Sequence, residues 1–132
     1  MPLTAQDLVA TAMSNIREID TDLLLDLQST GAPVIDVREP AEFAAGHVPG
    51  AVNIPRGVLE FEVDGHPAVN CQRDPALAHR NRPVVLYCRS GGRSALAAEA
   101  LQRLGFSEPL TLAGGFNGWA AAERDVAGGE AT

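Results

Sequence analysis

The fold of this chain is decided by residues 84–94, VVLYCRSGGRS, and by the alanine-rich segment that follows them. The apolar run Val84–Tyr87 is the clearest strand signal in the sequence, and the pattern from Ala95 to Leu104 predicts a helix. Cys88 stands where the strand ends, and a short loop with two glycines joins it to the helix. In parallel sheets ligands bind beyond the carboxyl ends of the strands, which is the position of this cysteine.

The loop after Cys88 has the composition of an anion-binding site. Its backbone N–H groups meet the start of a helix, and Gly91 and Gly92 allow those groups to converge without crowding from side chains. Arg89 and Arg93 add positive charge, which favours the thiolate, the nucleophilic form of cysteine. An inert core cysteine is the alternative, but the position at a strand end favours a reactive thiol. We therefore expect Cys88 to be the nucleophile of an enzyme.

Short elements of both kinds alternate along the rest of the chain. Further strands are predicted near 16–19, 34–37, 51–54 and 110–112, and further helices at 4–16, 20–31, 40–46 and 116–123. Residues 57–63 fit a helix or a strand, and the polar segment 64–82 is expected to be a long surface connection with room for one turn of helix. The alternation predicts an α/β fold, with a central parallel sheet of about five strands and helices on both faces.

A single domain accounts for most of the 132 residues. We expect an accessory helix at 1–15, the main domain at 16–124 and a frayed tail at 125–132. Gly105 is expected to end the helix that follows the loop. The side chains of that helix expected to face the core are Leu96, Ala100, Leu101 and Leu104.

The composition is acidic and poor in cysteine. Seventeen Asp and Glu against ten arginines and no lysine give a formal charge of −7. Such a surface is unsuited to nucleic acid or anionic lipid, so a bound anion must be held by a local arginine cluster. The two separated cysteines, Cys71 and Cys88, predict neither a disulfide framework nor a zinc site. Without a signal-peptide pattern or a membrane-length apolar run, we expect a cytoplasmic protein.

The spacing between the cysteine and the second arginine narrows the chemistry. Four residues separate Cys88 from Arg93, whereas cysteine-dependent phosphatases of similar topology have a loop one residue longer. The longer loop fits a tetrahedral phosphate, and the shorter one forms a tighter cradle, suited to one extra sulfur on the cysteine. The spacing therefore disfavours phosphate transfer.

Three ordered motifs carry a resemblance to a known family. They are residues 36–55, DVREPAEFAAGHVPGAVNIP; residues 88–94, CRSGGRS; and residues 112–119, LAGGFNGW. Together they resemble the signatures of the rhodanese-like sulfurtransferases, and the middle motif is similar to the active-site loop C-x-x-G-x-R-S of the single-domain branch. The resemblance spans 34–119 and leaves the accessory helix and the connection at 60–82 uncovered.

The resemblance implies a sulfurtransferase. Cys88 would take a sulfane sulfur from a small anionic donor such as thiosulfate, become a persulfide, and pass the sulfur to a thiophilic acceptor such as cyanide or a thiol. Asp36 and Arg38 would brace the loop and its entrance. The residues that would cradle the persulfide and the donor are Arg89, Ser90, Gly91, Gly92, Arg93 and Ser94. The implied chemistry needs no metal and no organic cofactor, and no nucleic acid or membrane partner is expected.

Charged residues near the motifs allow more than one pairing. Arg93 is expected to tie the loop to a neighbouring carboxylate such as Asp36. Arg38 and Glu42 lie four residues apart and could form a surface ion pair. His47 follows a predicted helix end, where it is expected to hold backbone groups rather than act as a base.

Two other hypotheses about function stay open at this point. One is a non-catalytic rhodanese-like binding or regulatory module, against which the presence of Cys88 argues. The other is a phosphatase or arsenate reductase, which the short loop disfavours. Cys71 lies in a polar loop and is expected to be an incidental surface thiol rather than a resolving cysteine. Gly114 and Gly115 are expected to allow close turning, and Trp119 to lie in the core.

Overall fold

The computed structural model describes residues 2–128. Within that range the strands are β1 (Arg17–Ile19), β2 (Val34–Asp36), β3 (Val52–Asn53), β4 (Val84–Tyr87) and β5 (Pro109–Leu112). The helices are α1 (Ala5–Asn15), α2 (Thr21–Ser29), α3 (Pro40–Ala45), α4 (Leu59–Asp64), α5 (Gly92–Arg103) and α6 (Gly115–Ala121). Three short 3-10 turns lie at Arg56–Val58, Pro67–Val69 and Pro75–Leu77. None of these helices is long and apolar enough to cross a membrane.

The five strands form one parallel sheet in the order β1-β5-β4-β2-β3. This confirms the α/β architecture predicted from the alternation of strands and helices. The central strand is β4, and all four of its residues are buried, as expected for a strand covered on both faces. Asp36 of β2 pairs with Tyr87 of β4, so the loops that leave these two strands meet at the carboxyl edge of the sheet.

Successive side chains of β4 point into two different cores. Val84 and Leu86 contribute to the core on the side of α4 and α5, together with Cys88. Val85 and Tyr87 contribute to the core on the side of α2 and α6. Because strand side chains alternate in direction, the thiol of Cys88 faces the side of the sheet that carries α5, the helix that its own loop begins.

The first two helices begin with side-chain caps. At α1, Thr4 accepts a hydrogen bond from the N–H of Asp7, and the Asp7 carboxylate accepts one from the N–H of Thr4. At α2, the Asp20 carboxylate accepts the N–H of the third helical residue at 2.8 Å. The ambiguous segment 57–63 is helical, and the connection at 64–82 holds two of the 3-10 turns.

The inward face predicted for α5 is wrong for Leu96 and Ala100, which are only partly buried, whereas Leu104, also partly buried, packs against the core. The helix begins at Gly92, and of the side chains expected in the core only Leu101 is fully buried. The residues that α5 buries are Ser94, Ala95, Ala97, Ala98 and Leu101. Small side chains turn inward because α5 is packed between the sheet and α1, where close approach matters more than the size of each side chain. Gly105 ends this segment at φ +96°, as expected.

The helix at the start of the chain lies along α5. Ala12 of α1 is fully buried. Gln102 of α5 donates a side-chain hydrogen bond to the carbonyl of Asn15 at 2.8 Å. A Cβ added at Gly92 would lie 3.7 Å from a methyl group of Val9, so α1 reaches the end of the loop that follows Cys88.

The tail expected to be frayed, 125–132, is tied down over its first part. Trp119 lies in the core as expected, and its Nε1–H donates to the carbonyl of Asp125 at 2.7 Å. Ala127 exchanges two backbone hydrogen bonds with His47, each of 2.9 Å. Asp125 and Ala127 thus have hydrogen-bond partners in the domain, the fraying of the tail stays a prediction, and the last four residues of that tail lie outside the described part of the chain.

Candidate active site

Cys88 lies at the base of a loop that closes around its sulfur. The residue is 1% exposed, and the backbone N–H of Gly91 donates to Sγ at 3.0 Å. Gly91 adopts φ +132°, which residues with a side chain rarely do, so a glycine suits the point where the loop turns into the helix. Helix α5 begins at the next residue, so the sulfur lies at the positive end of a helix of 12 residues. The structure thus brings together the thiol and the loop that the sequence pointed to.

Ser94 provides the second polar group near the sulfur. It is fully buried, and its Oγ lies 3.6 Å from the Sγ of Cys88. The same hydroxyl donates to the carbonyl of Gly91 at 3.1 Å, so the thiol can donate to Oγ. Rotation of the hydroxyl would let it donate to a thiolate instead. Ser94 can therefore serve the protonated and the deprotonated form of Cys88.

Arg93 anchors the loop to helix α3. Its Nη1 and Nη2 donate to the two carboxylate oxygens of Glu42 at 2.8 and 3.2 Å. The carboxylate also accepts the backbone N–H of Glu39 at 3.0 Å. The hydrogen bond from Arg93 lowers the pKa of Glu42 to about 2, and the bond to Glu42 in turn raises the pKa of Arg93. The expected pairing of Arg93 with Asp36 is therefore wrong, because the α3 carboxylate is the one that it binds.

Asp36 is bound by Arg38 instead. Nε and Nη2 of Arg38 lie 2.7–3.1 Å from the Asp36 carboxylate, and Nη2 also donates to the carbonyl of Gly46 at 2.7 Å. The guanidinium carbon lies 4.5 Å from the centre of the Phe116 ring. Burial is the largest single influence and opposes the charge of Arg38, but the hydrogen bond and charge of Asp36, together with the nearby Tyr87, raise the pKa of the guanidinium. The expected surface pair of Arg38 with Glu42 is also wrong.

The contacts of this buried pair fix the segment between β2 and α3. The side-chain amide of Asn53 donates to the backbone carbonyls of Asp36 and Arg38 at 3.0 and 2.9 Å. The hydroxyl of Tyr87 accepts a backbone N–H from the segment after α3 at 3.0 Å, and burial raises the pKa of this tyrosine. Arg38 thus binds the end of α3 through the carbonyl of Gly46, and Glu42 of the same helix binds Arg93 of the cysteine loop. The buried pair of Asp36 and Arg38 is therefore linked to the cysteine loop through α3.

The amino end of α6 holds the backbone carbonyls of the loop. The N–H of Phe116 donates to the carbonyl of Cys88 at 2.8 Å, and the N–H of Asn117 donates to that of Arg89 at 3.0 Å. Gly115 has φ +57°, and a Cβ there would lie 2.6 and 2.7 Å from these two carbonyl oxygens. Glycine is therefore required at 115, which confirms the close turning predicted for this pair of glycines.

The outer part of the loop is open to solvent. Arg89 and Ser90 are both exposed. Among residues 2–128 Arg89 forms no ion pair, whereas Arg93 is paired with Glu42. The positive charge available to an anion that approaches the loop is consequently that of Arg89.

The sequence pattern did not reveal Glu42 as the anchor of the loop. Glu42 stands at the third position of a short helix that begins with Pro40, where a carboxylate commonly caps the helix. That local role hides the second one, since Arg93 lies 51 residues further along the chain. The paired glycines of the 112–119 motif did predict a close backbone contact. They did not indicate that the contact is with the carbonyls of Cys88 and Arg89.

His47 and Cys71 lie where the sequence predicted them, one against backbone groups and the other at the surface. Nδ1 of His47 lies 2.8 Å from the carbonyl of Phe43, and the two rings stack at 3.6 Å, which suits a residue that holds backbone groups. Cys71 is a free, exposed thiol in the long connection, whereas Cys88 is free and buried.

Comparison with known proteins agrees with the geometry. The sequence profile of the rhodanese-like domain matches residues 20–122. The uncharacterized protein YqhL of Bacillus subtilis (strain 168) is 41% identical over 88 residues, which cover 67% of this chain and 60% of that protein. The thiosulfate sulfurtransferase GlpE of Pseudomonas entomophila (strain L48) is 33% identical over 107 residues, which cover 81% of this chain and 87% of that protein. The chain thus spans less than two thirds of the first relative and most of the second.

Solved structures share the fold. A protein of unknown function from Rhodopseudomonas palustris CGA009, described as a possible tyrosine phosphatase, has a TM-score of 0.80 at 30% identity, over 96% of this chain and 99% of that one. The human single-domain sulfurtransferase TSTD1 has a TM-score of 0.67 at 28% identity, over 79% of this chain and 95% of that one. With its parallel sheet, its cysteine loop at the carboxyl edge and a profile match over most of its length, the chain belongs to the rhodanese-like domain family.

Proposed function

We propose that this protein carries a sulfane sulfur on Cys88, from thiosulfate or a similar anionic donor to a thiophilic acceptor such as cyanide or a thiol. The observation that carries the proposal is the hydrogen bond of 3.0 Å from the Gly91 N–H to the cysteine sulfur. A fixed backbone donor at this place stabilises negative charge on the sulfur, and charge on a second sulfur bound to it. The similarity to a thiosulfate sulfurtransferase, at 33% identity, supports the same chemistry.

In the first half-reaction the thiolate of Cys88 attacks the outer sulfur of thiosulfate. A bond forms between Sγ and that sulfur, the bond to the sulfonate sulfur breaks, and sulfite leaves with the electron pair. Charge is conserved, because the persulfide keeps the single negative charge of the thiolate and sulfite keeps the two charges of thiosulfate. The loop then holds an anionic persulfide against its N–H groups.

In the second half-reaction the acceptor attacks the terminal sulfur of the persulfide. Cyanide becomes thiocyanate, or a thiolate becomes a new persulfide, and Cys88 leaves with its electron pair as a thiolate. The buried hydroxyl of Ser94, 3.6 Å from Sγ, can donate to that thiolate as it forms.

The two arginines of the loop would have different roles in this cycle. Arg89 is exposed and unpaired within residues 2–128, so it would attract the doubly charged donor to a chain of formal charge −7. Arg93 is held by both oxygens of Glu42, so it would keep the loop in shape rather than meet the donor as a free charge.

Incubation of the full chain with thiosulfate, followed by intact-mass spectrometry, tests the proposal. We expect the wild type to gain one sulfur atom while an equal amount of sulfite is released. Cyanide should then remove the sulfur as thiocyanate and restore the original mass. Cys88→Ser should gain no sulfur because a hydroxyl does not form a persulfide, whereas the matched control Cys71→Ser should be loaded like the wild type.

Other outcomes would contradict the proposal in distinguishable ways. A folded wild type that gains no sulfur from thiosulfate or from an organic persulfide would favour a non-catalytic binding module. Loading of Cys71 in place of Cys88 would mean that the exposed thiol is the carrier. Cleavage of p-nitrophenyl phosphate by the wild type and not by Cys88→Ser would favour the phosphatase hypothesis, which the four-residue spacing between Cys88 and Arg93 disfavours.

A further inference from the structure

A cavity lies at the amino edge of the sheet, at the opposite end of β4 from Cys88. Its volume is about 180 Å³, and its lining includes the residues just before β2 and β4 and the 3-10 turn that begins at Pro75. The four residues of β4 separate it from the cysteine loop by about 13 Å of extended chain. None of its lining residues lies in the motifs at 36–55, 88–94 and 112–119.

The walls of this cavity are apolar and stiff. Half of the ten lining residues are prolines or alanines, namely Pro33, Pro75, Pro83, Ala32 and Ala76. Proline has a fixed φ angle and alanine has no side-chain rotamers, so these walls lose little conformational entropy when a ligand binds. The cavity therefore suits a rigid apolar group.

The ionisable groups at the cavity are basic. Arg82 and His79 line it, and no carboxylate does, in a chain with seventeen Asp and Glu. Among residues 2–128 Arg82 forms no ion pair. Two carboxylates on neighbouring segments have partners other than Arg82, since Asp74 accepts the backbone N–H of Ala76 at 2.9 Å and Glu108 lies 3.9 Å from Arg17.

The carboxyl end of α2 also borders the cavity, and a helix end of this kind favours cations. Its carbonyls are largely satisfied, however. The N–H groups of Gly31 and Ala32 fold back onto carbonyls of the last turn of α2, each at 3.0 Å, and the hydroxyl of Thr30 donates to the same turn at 2.7 Å. The uncompensated charge at the cavity is therefore the guanidinium of Arg82.

We propose that this cavity binds a small organic monocarboxylate whose apolar body is about the size of a benzene ring. A cavity of about 150 Å³ accommodates benzene, so the space here holds one ring between the prolines. The carboxylate stays at the rim, where Arg82 can donate two parallel hydrogen bonds to its oxygens. The site is independent of Cys88 and of the proposed sulfur transfer.

Titration of the ¹⁵N-labelled full chain with sodium benzoate, followed by amide NMR spectra, tests this proposal. We expect saturable shifts centred on the amides of Gly31, Ala76 and Val84, with a dissociation constant of about 1 mM. The amide signals of Gly91 and Gly92 in the cysteine loop should not follow the same titration curve as the benzoate concentration rises. Benzylamine, which has the same ring and the opposite charge, should bind at least tenfold more weakly.

Two arginine variants separate a specific contact from general attraction of an anion. Arg82→Gln should weaken benzoate binding by roughly tenfold, because one charge-assisted contact is lost while the cavity keeps its shape. Arg73→Gln is the matched control, since Arg73 is exposed in the same connection, forms no ion pair within residues 2–128 and does not line this cavity. Its affinity for benzoate should equal that of the wild type.

Four results would overturn the proposal. They are the absence of saturable shifts, equal binding of benzylamine, equal weakening by Arg82→Gln and Arg73→Gln, and shifts centred on Gly91 and Gly92. The last result would place the benzoate in the cysteine loop instead, and it would leave the sulfur-transfer proposal standing.

Discussion

The ion pair between Arg93 and Glu42 can be tested by replacing Glu42 with glutamine, which keeps the shape of the side chain and removes its charge. Arg56 and Glu60 provide a matched control, because they form a pair of 2.7 Å whose side chains are 28% and 39% exposed, against 37% and 30% for Arg93 and Glu42. The two pairs differ in the place of the arginine in the fold. Arg93 belongs to the cysteine loop and Arg56 does not.

The size of the effect follows from the pKa of the carboxyl group. Binding to Arg93 lowers the pKa of Glu42 from 4.5 to about 2, and such a shift corresponds to at most about 3.4 kcal/mol. Both side chains are roughly one third exposed, so solvent screening reduces the expected contribution to about 1–2 kcal/mol. The contribution of the pair between Arg56 and Glu60, which lie four residues apart and share one hydrogen bond rather than two, should stay under about 1 kcal/mol.

The dependence on pH has a definite sign. Because folding lowers the pKa of Glu42, its stabilisation is complete above about pH 4.5 and is lost as the pH falls through about 2. Urea unfolding of the wild type and of Glu42→Gln should therefore differ by about 1–2 kcal/mol at neutral pH and converge toward about pH 2. Turnover with thiosulfate should fall about tenfold or more in Glu42→Gln, since the loop loses its anchor, and stay near the wild-type rate in Glu60→Gln.

Two results would refute this reasoning. If Glu60→Gln reduced turnover as much as Glu42→Gln, the loop would not be held through Arg93. If the stability difference between the wild type and Glu42→Gln stayed constant down to about pH 2, the charge of Glu42 would not be its source.

Two further predictions concern the loop. Gly115→Ala should lower the free energy of unfolding by about 2–4 kcal/mol, from the left-handed backbone and the contact with two carbonyl oxygens, and should slow sulfur loading of Cys88. Gly57→Ala is its control in urea unfolding, since a Cβ there meets nothing within 4 Å, and equal losses would contradict the argument. Arg89→Ala should raise the KM for thiosulfate more than it lowers kcat, and should reduce the dependence of KM on ionic strength. Steady-state kinetics at several salt concentrations measure this, with Arg73→Ala as control; an unchanged KM would mean that the donor is held elsewhere.

The unit formed by β4, the cysteine loop and α5 could be predicted because its signals are local. An apolar run of four residues, a cysteine, two glycines and an alanine-rich segment all fall within residues 84–104. The caps at Thr4 and Asp20 are local in the same sense, since each bonds a group three residues away. The segment 57–63 was not, because a short apolar run fits a helix and a strand equally well.

The inward face of α5 shows where a local pattern fails. Hydrophobicity favours Leu96 as a core residue, but it is only partly buried, while Ala97 and Ala98 are fully buried. The helix lies close to the sheet and to α1, and at that distance small side chains fill the space. The distances from α5 to the sheet and to α1 therefore decide which of its side chains are buried. Those distances depend on contacts between residues far apart in the sequence, which a local pattern does not show.

The amino-acid order was enough to predict the parallel sheet, the place of Cys88 at its carboxyl edge and the loop of backbone donors that follows. The choice of Glu42 as the partner of Arg93, and of Arg38 as the partner of Asp36, came from the packed chain. Strands, turns and helix caps depend on residues a few positions apart, so short stretches of sequence are enough to predict them. An ion pair across 51 residues depends on which carboxylate the packing of α3 brings within 3 Å of the loop, and every arginine in this acidic chain has several candidates.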